Sequence, residues 1–376
     1  MKLKYISFGV ILVLSIFLAS CNTQKTSTPN ENQTETTQQD EVALKIYTTL
    51  YPLEDFANKI GGKYVNVESI MPAGADAHTF EPTTKQMMMI AEADAFIYNG
   101  LGMEPFAEKM AEALSSEKVK MVEATHGIET IVHDEAHADE EDQHSEEVHA
   151  HEEEQHSEEV HAHEEELHSE EAHAHEEEQH SDEAHAREEE VSDESDAHGH
   201  DHGDFDPHVW LDPYRSITLA ENIKNTLVEL KPDAREEFEK NYESLKAELE
   251  KLDEEFHQLV DSKNNPEMIV SHAAYGYWEE VYGIQQVPVA GLSPSDEPSQ
   301  RDLEEIIKLA EEKQINYILF EQNVTPKVAE IIRKEINGEP LYLHNLESLT
   351  EEDRQNGEDY FSLMRKNLAT LDKALK

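Results

Sequence analysis

Cysteine and basic side chains are scarce in this 376-residue chain. Cys21 is the only cysteine, so the chain beyond it has no disulfide to rely on and no thiolate metal site. Lysine and arginine together number 30, against 84 aspartates and glutamates, which gives a formal net charge of −54. Because nucleic acids are polyanions, so acidic a chain is not expected to bind them, whereas it attracts cations.

The apolar run at the start of the chain is too short to cross a bilayer comfortably as a helix. It covers Tyr5–Leu18, whereas a spanning helix needs roughly 20 apolar residues. The run follows Lys2 and Lys4 and precedes small residues and Cys21. A positive start, a short apolar run and a small-residue boundary predict a signal peptide over residues 1–20.

Small residues directly before a lone cysteine resemble a bacterial lipoprotein signal, in which the new amino-terminal cysteine is lipidated. An ordinary signal peptide followed by a stray cysteine is the alternative. Two acyl chains on Cys21 are enough for stable membrane attachment. Residues 21–40 are polar and rich in Thr, Gln and Asn, so we predict a flexible tether there. The protein is therefore expected outside the cytoplasm, anchored to the cell membrane.

Histidine and acidic residues are abundant and concentrate in residues 133–204, which we call the His/Glu tract. It holds 16 of the 22 histidines and 31 acidic residues against the single Arg187, and a twelve-residue unit repeats from His144 as HSEEVHAHEEEQ. With almost nothing apolar to bury, it is predicted to be a disordered loop, and an acidic spacer is one interpretation. Because imidazole and carboxylate bind metal cations, we favour an accessory metal-collecting loop. Its candidate ligands are His144, His149, His151, His156, His161, His163, His168, His173, His175, His180, His185, His198, His200 and His202.

The rest of the chain alternates strand patterns with helical patterns of about ten residues, which is typical of parallel α/β sheets. We predict an α/β fold of two lobes with mostly parallel sheets, joined by one long spanning helix. The N-terminal lobe is placed at residues 41–233, interrupted by the tract, the spanning helix at 234–262 and the C-terminal lobe at 263–376. Asp233 is predicted to cap the spanning helix, and one helix, Asp353–Leu375, to close the chain.

Outside the tract, four polar residues directly follow strands or lie in short rigid loops: His78, His208, His272 and Glu321. Because ligands bind at the carboxyl ends of strands in open α/β sheets, these residues could converge in the cleft between the lobes. Three imidazoles and one carboxylate form a set suited to tetrahedral Zn²⁺. Taken singly, a histidine at a strand end is more often a hydrogen-bonded rim residue, and Glu321 could be a charge at a helix amino terminus.

Five motifs carry a more specific resemblance: GADAHTFEPT around His78, DPHVWLDP around His208, SHAAYGYW around His272, GLSPSDEPS at Gly291–Ser299 and FEQNV around Glu321. In this order they resemble the metal-specific solute-binding lipoproteins of bacterial ABC importers, in particular the zinc-uptake branch. The resemblance covers nearly all of the chain after the tether. It implies two lobes joined by a long helix, a metal bound between them by these three histidines and this glutamate, and a His- and acid-rich loop before the second ligand.

The resemblance also implies a function. We expect an extracytoplasmic component that captures Zn²⁺ and delivers it to an ABC permease in the membrane, acts as a monomer and is not an enzyme. Manganese- and iron-selective relatives tend to have a carboxylate where this chain has His272, and three nitrogen ligands favour zinc over the harder Mn²⁺. The fourth position departs from the pattern, because manganese binders usually have Asp where this chain has Glu321.

Three alternatives stay open at the level of sequence. The first is a manganese-binding homologue. The second is a surface metal buffer or adhesin in which the tract is the functional part. The third is a zinc hydrolase, because three protein ligands with water in the fourth position is the catalytic pattern. A fourth protein ligand would close that position, and the sequence has no HExxH-type helix to supply a base.

Overall fold

The computed structural model of the protein describes residues 42–132, 205–322 and 327–376. The predicted signal peptide, the tether with Cys21 and the whole His/Glu tract lie outside the described residues. The lipidation of Cys21 and the role of the fourteen tract histidines therefore stay predictions.

Four parallel strands form the first sheet: β1 (Leu44–Thr48), β2 (Val65–Ser69), β3 (Ala95–Tyr98) and β4 (Lys120–Glu123). Their spatial order is β2-β1-β3-β4. The connecting helices are α1 (Tyr51–Gly61), α2 (Thr84–Ala91) and α3 (Pro105–Ala113). All four residues of β3 are buried, as expected for an inner strand of a parallel sheet covered on both faces.

The second sheet repeats this arrangement: β5 (Glu267–His272), β6 (Gln285–Ala290), β7 (Tyr317–Glu321) and β8 (Glu339–Leu343), all parallel. Its order is β6-β5-β7-β8, the same pattern as in the first sheet. The accompanying helices are α6 (Gly276–Tyr282), α7 (Gln300–Lys313) and α8 (Lys327–Glu335). In each sheet the strand order reverses between the first and third strands, which is where open α/β sheets bind ligands.

Two long helices, α4 (Pro213–Leu230) and α5 (Arg235–Asp261), connect the sheets. α5 has 27 residues, so it is about 40 Å long at 1.5 Å per residue. Its inward side chains recur at three-and-four spacing and pack towards α1 and α4: Phe238, Tyr242, Leu245, Leu249, Leu252, Phe256 and Val260. The predicted fold class, two parallel α/β sheets joined by a long helix, is confirmed.

The start of α5 differs from the prediction. Asp233 does not cap it, because residues Pro232–Ala234 form a 3-10 turn and the residue before α5 is Ala234, without a side-chain cap. The fixed φ of Pro232 favours this separate turn, and the α-helix starts only after it. Glu236 and Glu237 in the first turn of α5 supply the negative charge that a helix amino terminus favours.

The predicted closing helix is two helices, α9 (Glu351–Asn356) and α10 (Tyr360–Ala374). The break falls at Gly357, whose φ of +69° ends α9 in the left-handed region that glycine tolerates. Each helix then has its own capping box, on Thr350 and on Asp359. The prediction of one continuous helix was wrong because it followed the apolar spacing and ignored these stop and start signals.

One apolar cluster runs through both sheets and the connecting helices, with Ile46, Trp210, Phe256, Val270 and Tyr360 among its buried members. The described residues from Val42 onwards accordingly belong to one compact unit. The predicted lobe boundaries therefore stay predictions. No helix within the described ranges is long and apolar enough to cross a membrane.

The buried face of α5 can be tested directly. Leu252 is fully buried, so Leu252→Ala is expected to lower the free energy of unfolding by about 2–5 kcal/mol. Glu243 lies on the exposed face of the same helix, and Glu243→Ala should change that free energy by less than about 0.5 kcal/mol. Urea denaturation of metal-free protein measures both. Equal losses would contradict the assigned orientation of α5.

Candidate metal centre

His78 lies in the loop between β2 and α2, and the preceding acid fixes its backbone. Asp76 Oδ1 accepts a hydrogen bond from the His78 backbone N at 2.9 Å, and Asp76 Oδ2 accepts one from the Thr79 hydroxyl at 3.1 Å. The backbone N of Ala77 donates to Glu347 Oε2 at 2.9 Å. The loop is thus tied both to itself and to the turn that follows β8, and the His78 side chain is buried.

His208 precedes α4 and is oriented by Asp206, two residues earlier. Asp206 Oδ1 accepts a hydrogen bond from the His208 backbone N at 2.9 Å and lies 2.8 Å from Nδ1 of the ring. A carboxylate at Nδ1 fixes the tautomer with its proton on Nδ1 and its lone pair on Nε2. This is the orientation found in carboxylate–histidine–metal sites.

The segment around His208 is held from both sheets. The Asn99 side chain, at the end of β3, donates its Nδ2 to the Pro207 carbonyl at 2.9 Å. From the other side, the Tyr277 hydroxyl on α6 donates to the Asp206 carbonyl at 2.8 Å. His208 is therefore fixed between β3 of the first sheet and α6, which accompanies the second sheet.

The two residues that flank the His/Glu tract, Val132 and Phe205, meet close to His208 in the sequence. Val132 and Phe205 pair as an isolated antiparallel bridge, and the Asp206 backbone N donates to the Ile131 carbonyl at 3.0 Å. The tract is therefore inserted between two paired positions, three residues before a candidate ligand.

His272 and Glu321 end neighbouring strands, β5 and β7, and their side chains are in contact. Glu321 Oε1 lies against His272 Nδ1 and also accepts a hydrogen bond from the Ser271 hydroxyl at 3.2 Å. Burial lowers the pKa of His272, but the Glu321 carboxylate outweighs it and the pKa ends above its ordinary value. Burial raises the pKa of Glu321, which His272 in turn brings below its ordinary value. This contact places the proton of the neutral His272 ring on Nδ1 and its lone pair on Nε2.

Glu347 lies in the segment after β8 and is absent from the predicted ligand set. Leu346, directly before it, has a φ of +60°, in the left-handed region that non-glycine residues seldom adopt. Glu347 Oε1 accepts a hydrogen bond from Asn345 Nδ2 at 3.0 Å. Burial, together with the negative charges of Asp76 and Glu321, raises the pKa of Glu347 to about 8. A bound cation would lower the pKa of Glu347 and so favour its charged carboxylate form.

Four potential ligands converge at one point: His78, His208, His272 and Glu347 can each offer an atom within 4.8 Å of the others. The Nε2 atoms of His78 and His208 are 3.3 Å apart, and ligand atoms around a tetrahedral zinc at about 2.0–2.1 Å lie about 3.3–3.4 Å apart. His272 Nε2 is buried without a hydrogen-bond partner among the described residues. All four side chains are at most 2% exposed. The chemistry and spacing fit a closed zinc site.

The predicted set and the observed group differ in one member. The structure brings His78, His208 and His272 together, whereas Glu321 lies outside the group, behind His272. The assignment of Glu321 as a ligand stays a prediction. Glu347 was missed because the rule of polar residues near strand ends was not extended to the segment after β8. Applied to the whole turn after β8, the same rule would have included Glu347.

Comparison with known proteins defines the family. The family model described as zinc-uptake complex component A, periplasmic, matches residues 46–374. The chain belongs to this family. The zinc-uptake component A family consists of binding components of transport systems and not of enzymes, as the resemblance implied.

The relatives include proteins that are much longer than this chain and one of nearly the same length. The zinc-binding protein AdcA of Streptococcus pyogenes serotype M3 is 34% identical over 331 residues, which are 87% of this chain and 55% of that protein. The zinc-binding lipoprotein AdcA of Streptococcus pneumoniae R6 is 32% identical over 98% of this chain and 60% of its own length. The high-affinity zinc uptake system protein ZnuA of Bacillus subtilis is 28% identical, over 99% and 98%. The chain thus spans little more than half of the AdcA proteins.

Solved structures agree with the fold. Zinc-bound AdcA from Streptococcus pneumoniae is 30% identical with a TM-score of 0.64, over 89% of this chain and 58% of that chain. The metal-dependent lipoprotein YcdH of Bacillus subtilis is 27% identical with a TM-score of 0.62, over 89% and 99%. The laminin-binding protein Lmb of Streptococcus agalactiae, at 24% identity and a TM-score of 0.65 over 89% and 100%, supports the fold alone.

Two isosteric substitutions separate the roles of the two glutamates. Glu347→Gln is expected to weaken zinc binding by more than about 100-fold, because it removes the only carboxylate in the converging group. Glu321→Gln should weaken it by about 10–100-fold, the range for a residue that orients a ligand from behind. Competition with a chelator of known affinity measures both. A larger loss for Glu321→Gln would make Glu321 the fourth ligand.

Proposed function

We propose that this protein is the extracytoplasmic zinc-binding component of an ABC importer, capturing Zn²⁺ and delivering it to a membrane permease. The observation that carries the proposal is the buried group of three imidazoles and one carboxylate, to which segments from both sheets contribute. Relatives that include a zinc-bound AdcA and a high-affinity zinc uptake protein support it. Membership of the zinc-uptake family also supports the proposal.

The proposed ligands are the Nε2 atoms of His78, His208 and His272 and one carboxylate oxygen of Glu347. Asp206 and Glu321 place the proton of two of these rings on Nδ1, so that the lone pair on Nε2 is directed to the ion. Three nitrogens and one oxygen suit Zn²⁺ better than Mn²⁺, which prefers a site made largely of oxygens. A fourth protein ligand occupies the position that a hydrolase keeps for water, so the site is a carrier site and not a catalytic one.

Capture requires the ion to exchange its water for protein ligands. The four side chains are buried, so the hydration shell is lost completely, and the negative charge of Glu347 offsets part of that cost. Asp76, Asp206 and Glu321 add further negative charge around the site. Delivery then requires the site to open, which the permease would promote by binding the loaded form.

The remaining parts of the proposal concern segments outside the described residues. We propose that Cys21 carries the lipid anchor, in agreement with a relative named a lipoprotein. The fourteen tract histidines would collect weakly bound ions close to His208, because the tract joins the fold three residues before it. The chain is proposed to act as a monomer, since all four ligands come from a single chain.

Replacing the tract tests the division between tight and weak sites. Because Val132 and Phe205 are paired, residues 133–204 can be replaced by a short Asn-Gly turn. The shortened protein is expected to bind one tight Zn²⁺, whereas the full chain should bind that ion and several weaker ones. Titration calorimetry measures both stoichiometries. Loss of the tight ion on shortening would place the function in the tract and favour a metal buffer.

Replacing His272 tests the origin of metal preference. His272→Glu exchanges a nitrogen for an oxygen, so the ratio of zinc to manganese affinity should fall by at least about tenfold. His257→Ala is the control, because the His257 side chain is half exposed on α5 and does not belong to the converging group. Competition titrations with both ions give the ratio. An unchanged ratio in His272→Glu would exclude His272 as a ligand.

A further inference from the structure

The Asn345 side chain joins the two glutamates of the metal centre. Its Nδ2 donates one hydrogen bond to Glu321 Oε2 at 2.7 Å and one to Glu347 Oε1 at 3.0 Å. Its Oδ1 accepts a hydrogen bond from the Glu347 backbone N at 3.2 Å. Asn345 is 5% exposed, so these bonds form away from solvent. Every polar atom of its side chain is therefore used on these two glutamates.

The remaining oxygen of each glutamate has a different partner. Glu321 Oε1 lies against His272 Nδ1, and Glu347 Oε2 accepts from the Ala77 backbone N. Two buried carboxylates repel each other, and the neutral amide between them supplies one donor to each. The amide thereby fixes Glu347 within the converging ligand group and Glu321 behind His272.

We propose that Asn345 is a positioning residue that determines metal selectivity. Its amide holds Glu321 away from the ion and directs Glu347 to offer one oxygen, so that the ion meets three nitrogens and one oxygen. The proposal rests on the ligand set proposed above. Without the amide, Glu321 Oε2 and Glu347 Oε1 lose their shared donor, and a cation becomes the nearest group that can satisfy them. Added oxygen ligands favour Mn²⁺ relative to Zn²⁺.

Asn345→Ala and Asn345→Asp test this role in the full-length chain. Both remove the two N–H donors, and Asn345→Asp keeps the shape of the side chain, so that one variant remains informative if the other fails to fold. The matched control is Asn367→Ala. The buried Asn367 amide holds the same segment through the His344 backbone, at 2.7 and 2.8 Å, and among the described residues it has no hydrogen bond to either glutamate.

Two measurements apply to each variant. Competition between Zn²⁺ and Mn²⁺ for the first, tight equivalent gives the affinity ratio. The visible absorption of Co²⁺ at the same equivalent reports the coordination number, because four-coordinate Co²⁺ absorbs more strongly than five- or six-coordinate Co²⁺. Every variant carries the same tract, so differences between variants arise in the cleft.

The expected result is a zinc-to-manganese ratio about tenfold lower in both Asn345 variants, with weaker Co²⁺ absorption. In Asn367→Ala the ratio and the spectrum should match the wild type, even if both affinities fall together. An unchanged ratio in the folded Asn345 variants, or an equal fall in Asn367→Ala, would overturn the role of Asn345. A wild-type chain without any tight first equivalent would instead overturn the proposed ligand set.

Discussion

The structure depends on burying three imidazoles and a carboxylate at one point between two sheets. A polar group taken out of water without a partner costs several kcal/mol in apolar surroundings, so each ligand needs its own support. Asp206 supports His208, Glu321 supports His272, and Asn345 supports Glu347. Glu321 ends β7 and Asn345 lies just beyond β8, whereas Asp206 lies between the paired Phe205 and α4. The fold therefore determines the geometry of the centre, because the side chains at and near the strand ends hold its members in place.

The segment from Asp206 to Leu211 is hydrogen-bonded to several elements that are distant in the sequence. The Trp210 indole donates to the Asn345 carbonyl at 2.8 Å, and the Tyr360 hydroxyl of α10 donates to the Trp210 carbonyl at 2.8 Å. The Trp278 indole of α6 donates to the Leu211 carbonyl at 2.7 Å. These buried hydrogen bonds connect elements that accompany the two sheets. They therefore favour small movements of the loops around the centre over a wide rotation of one sheet relative to the other. The length and burial of α5 add to this stiffness.

The sequence was informative where chemistry follows directly from a regular element. His272 is the last residue of β5, and the alternation of strands and helices predicted its place at the ligand-binding edge. It was less informative at Glu347, whose position depends on the backbone before it. The preceding residue, Leu346, has a positive φ, and no glycine in the sequence marks that conformation. Glu321 also ends a strand, and only the contact with His272 separates a supporting carboxylate from a ligand. A contact such as that between Glu321 and His272 arises when segments distant in the sequence pack together. The local sequence pattern carries no information about it.

The bridge between Val132 and Phe205 has a consequence for how this protein can change over generations. Because the two positions already pair, the fold sets no particular number of residues between them. Duplication or loss of whole twelve-residue units, such as those that start at His144 and His156, would alter the proposed metal-collecting capacity in steps. The residues that line the centre need not change with it. The proposed storage and selectivity would thereby be open to selection separately, although they are encoded a few residues apart.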